Sequence, residues 1–403
     1  MDMAFIIGNN IEKLREEQNI SVEQLAEIVG VTRQTMTSYL KGRQVIDSGK
    51  LARIAGHFNK PFDYFLTEDH QEFPFMFRAD NPRENFDNIL AEKIVRRVGN
   101  TCDLLDISGR KLVLVPESYK LRISGSRLNR EEKELIEEIA VKKREDFGVA
   151  DIVPDNYYRI LQENGINVLA FPFENSAIFA VSAYSPEYGS FIVINDDAGI
   201  PEERKMFSAV HELGHLIFHR EQYLKGFNSF SHTYGKKRNI NEEVANHFAM
   251  CFLVSRSLMK KYRNIFKNKD FLLREIMEIK SVFLVSAKCL IYALEYYGYI
   301  TEKQKGTHIG YLNKNGYSTA EPRPMQSIEK GAYWQGVIRE LFNREEISLS
   351  KISEVLEIPL SQARMLTSGK SLLRFAGAVN PGDLKTIEQA IQEECEKVDQ
   401  SDW

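Results

Sequence analysis

A chain of 403 residues is longer than one ordinary hydrophobic core can use, so two or three domains are expected. Its 43% apolar and 27% charged residues exclude a disordered chain, and no apolar run is long enough to span a bilayer. A net charge of −4 excludes indiscriminate binding to polyanions, so any nucleic-acid contact has to come from a local basic face. The start, MDMAFIIGNN, lacks the basic region and cleavage site of a secretory signal. The four cysteines (Cys102, Cys251, Cys289, Cys395) are far apart and form no CxxC pair. They read as reduced thiols of a cytoplasmic protein with no membrane contact.

Residues 9–66 have apolar positions at helical spacing. Ser21 with Gln24 is a capping-box pattern opening SVEQLAEIVG, and Gly30 ends it. Thr32 is an N-cap for the next helix, RQTMTSYLKG, closed by Gly42. Two short helices joined by GVT, with the small Ala26 at their crossing, form a helix-turn-helix. Its second helix carries Arg33, Gln34, Thr35 and Ser38, side-chain types that reach base edges and phosphates, and Arg43 follows. From Val31 to Arg53 there are five basic residues against one acid, although the first 70 residues hold 8 basic and 10 acidic. The positive charge is concentrated where such a motif needs it.

This segment, over residues 5–67, resembles the Cro/C1-type (XRE) family of five-helix DNA-binding domains. The resemblance implies a homodimer on a paired, palindromic site in double-stranded DNA, expected in its own promoter.

Residues 69–84 contain two prolines and mixed charge and read as a linker. The pattern is again mostly helical from about Asn85 to Gly148. It then changes to short β-branched and aromatic runs, INVLAFPF, AIFAVSAY and SFIVIND, which predict a small sheet. Helices return from Pro201 to about Tyr297. A Gly/Asn/Pro-rich stretch, within a second linker over 301–330, precedes a final helical segment, 331–403. The expected fold is α+β, mostly α. Its parts are a helix-turn-helix domain (1–68), a domain with a small sheet (85–300, motif core 150–260) and a helical C-terminal module. ISLSKISEVLEIPLSQARMLTSG in that module superficially echoes a second helix-turn-helix. With 8 basic and 12 acidic residues over 331–403, it reads as a packing or protein-contact module.

The chemistry is concentrated in PEERKMFSAVHELGHLIFH, which has helix-start signals and the HExxH pattern His211-Glu212-Leu213-Gly214-His215. Residues four apart project from one face of a helix, so His211 and His215 can share one Zn²⁺, with Glu212 beside it as general base. The strand SFIVIND just before this helix suggests the edge strand on which proteases align an extended substrate. About thirty residues on, NINEEVANHFAMCFL predicts a second amphipathic helix. Its Glu242 lies in an NExxAN arrangement similar to the NExxSD motif of gluzincins, which makes it the third ligand, with Glu243 the alternative. Asn246 stands where an Asp often buttresses the first histidine. His219 lies too far along the helix to share the metal and reads as a supporting or surface residue. His232, Tyr234 and His247 are candidate transition-state donors.

Residues 150–260 resemble the ImmA/IrrE family of zinc metallopeptidases, with FLVS (Phe252–Ser255) replacing the family's LLMP-like ending. The resemblance implies a zincin-like fold and cleavage of a partner repressor encoded nearby. The rival expectation is an antitoxin-like autorepressor that binds a neighbouring toxin and keeps the zinc fold as a scaffold or sensor.

Overall fold

In the computed structural model the chain divides into two units, Met1–Phe73 and Pro74–Trp403. The structure describes residues 3–18, 20–58, 60, 62–66, 76–79, 88–110, 117–175, 177–223, 239–262, 273–317 and 320–367.

The first unit is built by local capping. Its helices are α1 (Met3–Glu17), α2 (Val22–Val29), α3 (Arg33–Leu40) and α4 (Ser48–Phe58), followed by a 3₁₀ turn at Phe62–Phe65. Ser21 and Gln24 form the reciprocal capping box that starts α2. Gly30 ends α2 with φ of 76°, a left-handed conformation that a side chain would strain, and its N–H donates to the carbonyls of Ala26 and Glu27. Thr32 Oγ1 then accepts from the Thr35 N–H to start α3. Ile11, Leu14, Leu25, Val29, Met36 and Ile54 close the core.

The second unit contains β1 (Met76–Ala79), α5 (Asn88–Ser108), α6 (Arg130–Asp146), α7 (Tyr157–Glu163), β2 (Ile166–Phe171), β3 (Ala180–Ser185) and β4 (Gly189–Asn195). After these come α8 (Glu202–Phe218), α9 (Arg220–Tyr223), α10 (Ile240–Leu253), α11 (Arg256–Lys261), α12 (Leu273–Phe283) and α13 (Ala287–Tyr296). The chain continues through α14 (Glu302–Lys314), α15 (Ala332–Asn343), α16 (Leu349–Leu356) and α17 (Leu360–Thr367). The sheet order is β1-β3-β4-β2, with β4 antiparallel to β3 and parallel to β2. Every residue of β3 and β4 is buried, as strands covered by helices should be. Helix α8 packs on β3 and β4, and α10 packs between α8 and α6.

Three expectations need correction. SFIVIND, taken as the edge strand, is β4 and lies inside the sheet between β3 and β2. Within 69–84, residues Met76–Ala79 form a fourth strand, antiparallel to β3. The stretch 301–330 contains a full helix, α14, because Thr301 and Gln304 make a capping box that outweighs Gly306 and Gly310. Beyond α14, Glu321 and Lys330 make the buried ion pairs described below. The C-terminal helices pack on α5, where Arg96 pairs with Glu357 at 2.7 Å and Lys351 with Asp103 at 2.9 Å.

Candidate metal centre

Helix α8 is positioned by its first turn. Glu202 accepts from Tyr158 Oη at 2.8 Å and pairs with Lys330 at 2.9 Å. Glu203 pairs with Lys280 at 2.7 Å, both side chains fully buried, and accepts from the Met325 N–H at 3.0 Å. Glu321 lies 3.2 Å from the same lysine. The sequence showed these acids only as helix-start signals. Their partners are 77 and 128 residues away, beyond the reach of any local pattern.

Two turns into α8, His211, Glu212 and His215 are buried. His211 Nε2 lies 3.0 Å from His215 Nε2 and 3.2 Å from Glu242 Oε2, and His215 Nε2 lies 3.5 Å from that carboxylate oxygen. Four ligands at about 2.0–2.1 Å from a tetrahedral zinc lie roughly 3.3–3.4 Å from one another. The three atoms therefore have the spacing of three corners of such a site. Burial raises the pKa of the Glu242 carboxyl, but the hydrogen bonds of His211 and His215 outweigh it and hold the group well below the usual carboxylate range.

The outer ring nitrogens are engaged as well. His211 Nδ1 faces Asn246 Oδ1 at 3.1 Å, an arrangement in which Nδ1–H donates and Nε2 keeps its lone pair for a metal. His215 Nδ1 lies 2.9 Å from His219 Nδ1, so His219 supports a candidate ligand without joining the converging set. Glu243 accepts from the Leu128 N–H at 3.4 Å, and among the described residues it lies outside the three-residue cluster.

Close helix packing brings α10 to the site. A methyl added at Gly214 would stand 3.1 Å from Ala245 Cα and 3.2 Å from Phe248 Cδ1. The small residues inside HELGH and EVAN thus let the two helices approach until Glu242 reaches both histidines.

Ser182 on β3 was not foreseen. Its hydroxyl donates to Glu212 Oε2. A lone serine in an apolar strand carries no sequence signal of this role. His247 lies on another face of α10, with Nε2 on the Lys133 carbonyl at 3.2 Å and its ring against Tyr296. Burial pushes its pKa down to about 4, so it is a neutral packing residue away from the cluster. His232 and Tyr234 lie outside the described residues.

On the first unit, Arg33, Gln34 and Arg43 are exposed and Thr35 and Ser38 half-buried. Arg33 pairs with Glu23 at 2.7 Å, and Ser38 Oγ donates to the Gln34 carbonyl at 3.0 Å. Arg53, counted among the local basic residues, donates to the Val29 carbonyl and so caps α2.

Among the described residues, no helix is long and apolar enough to cross a membrane. Residues 11–65 match the helix-turn-helix family model, and residues 161–295 match a peptidase family model described as the IrrE N-terminal-like domain. Among curated proteins, two uncharacterized HTH-type transcriptional regulators, from Rickettsia conorii and Rickettsia prowazekii, are each 39% identical over 60 residues. That match covers 15% of this chain and 48% and 46% of theirs, so the chain spans about half the length of the curated relatives it matches. The chain thus carries two matched segments, one similar to the helix-turn-helix family and one to the IrrE N-terminal-like peptidase family.

Proposed function

We propose that the protein is a DNA-binding transcriptional regulator whose second unit is a zinc-dependent endopeptidase acting on a partner repressor or regulator. The observation that carries this reading is the convergence of His211, His215 and Glu242 with Glu212 beside them, held by Ser182. In this reading those three residues hold zinc, and the donor set of two imidazoles and one carboxylate suits that ion. When bound, zinc supplies a Lewis acid and brings the pKa of water towards neutrality. Glu212 takes the proton of the attacking water and passes it to the departing amine. The Ser182 hydroxyl keeps one Glu212 oxygen engaged, so the carboxylate does not turn away between the two transfers. Asn246 and His219 hold the histidine rings in the orientation that points both Nε2 atoms at one place.

The first unit acts on DNA through Arg33, Gln34, Thr35, Ser38 and Arg43, as a homodimer on a palindromic site in its own promoter. Arg33 would exchange its exposed pairing with Glu23 for a base or phosphate, a small loss because such surface pairs contribute little.

The test is incubation of the zinc-loaded full chain with the product of the adjacent gene. Wild type should cleave it, whereas Glu212→Gln should retain about one zinc per chain and lose cleavage by a factor on the order of 10²–10⁴. Equal cleavage by both proteins would sink the mechanism. Tight binding of that product with no cleavage by wild type would favour the antitoxin-like reading.

A further inference from the structure

The two flanks of the sheet differ. On the β2 side, the carbonyl of Val168 already accepts from Trp334 Nε1 at 3.1 Å and Gln162 Nε2 at 3.2 Å. On the other side, β3 meets β1, a strand of only four residues, with Met76 opposite Tyr184, Arg78 opposite Ser182 and Ala79 opposite Val181. Ser182 is the residue whose hydroxyl holds Glu212. The strand that borders the candidate general base is therefore β3, and its outer edge is covered by the chain itself.

The covering residues begin three positions after Phe73, where the first unit ends, so the occupant of this edge is the connection to the DNA-binding unit. A sheet edge offers unpaired N–H and C=O groups to any extended chain, which is how strand addition captures peptides. Four residues of pairing are a modest attachment, since short strands hold weakly on their own.

We propose that the outer edge of β3 is a docking edge for an extended peptide, and that β1 is its intramolecular occupant and must leave before a peptide in trans can bind. The choice of a peptide as partner rests on the peptidase reading of Glu212, whereas the binding measurement does not require cleavage.

The probe is a fluorescent peptide of residues 74–81, PFMFRADN, titrated into the full chain carrying Glu212→Gln so that no hydrolysis intervenes. Phe77→Pro and Arg78→Pro are compared with this parent. Neighbouring strand residues face opposite edges, so one of the two prolines removes a donor to β3. A third variant replaces residues 76–79 by glycines, and circular dichroism checks that all retain the helical fold. If β1 covers the edge about nine-tenths of the time, opening it should tighten peptide binding about tenfold. Amide exchange over residues 180–185 should quicken in the opened variants and slow again when peptide is added. Equal peptide affinity in parent and opened variants would overturn the proposal, as would no binding to any of them or unchanged exchange in β3. Peptide binding with these features, alongside failure of cleavage in the zinc-loaded wild type, would remove the peptidase reading and leave the docking edge standing.

Discussion

The two units hold their functional side chains in opposite ways. In the first, the candidate DNA-contacting residues lie on the surface and are set by bonds that span three or four positions, such as Thr32 to Thr35 and Gln34 to Ser38. In the second, the residues of the candidate metal centre and the helix that carries it are mostly buried and set by partners 30, 35 and 77 positions away: Ser182 to Glu212, His211 to Asn246, and Glu203 to Lys280. A surface that reads DNA has to stay open to its partner, so local caps suffice to place it. A buried polar centre has to repay desolvation with hydrogen bonds and charges, and those come from wherever the fold can supply them.

The difference predicts where each unit breaks. The largest effect on stability should come from Lys280→Met, which leaves Glu203 and Glu321 without their shared cation in the interior. Loss of one partner of a buried pair costs about 3–5 kcal/mol. Urea unfolding of the full chain should show the second unit losing that much, while the melting of the first unit is unchanged. An effect below about 1 kcal/mol, the size of a surface pair, would mean that these groups are not truly buried.

Next in size is His219→Ala. If His219 orients His215, zinc affinity should fall about 10- to 100-fold, measured by competition with a chelating dye. An unchanged affinity would reduce His219 to a packing residue and place the whole burden of orientation on the helix itself.

In the first unit, Arg33→Ala should cost on the order of 1–3 kcal/mol of operator binding if the side chain reaches a base. Glu212→Gln should cost nothing in the same promoter-shift assay. Loss of binding on metal removal, with Arg33→Ala behaving like wild type, would show that the DNA site lies elsewhere. The smallest effect should come from Ser21→Ala. It removes the capping box of α2 and should destabilise the first unit by about 1 kcal/mol, with zinc content unaffected.

How much could be read in advance follows the same divide. Ser21, Gln24, Gly30 and Thr32 declare α2 and α3 because each acts on its own backbone neighbours. The HExxH spacing declares that His211 and His215 share a helix face, since helix geometry is set by the backbone alone. Asn246 and Glu242 were legible because both lie within one further helix of recognisable pattern. The connecting segments were misread for a matching reason. Mixed charge and proline suggest a linker, yet Met76–Ala79 finds a strand to pair with, and Lys330 and Glu321 find buried partners on α8 and α12.

From the sequence alone came the helices, their caps, the mostly α class with a small sheet, and the residue types of a candidate metal site. Tertiary structure decided which strand borders that site, which serine and histidine steady its members, and which strand covers the outer edge of β3. The physical reason is range. Backbone hydrogen bonds and caps act over a few residues and leave their mark in neighbouring letters. Strand order, helix approach at Gly214 and Ala245, and burial of charge depend on groups that only the folded chain brings together.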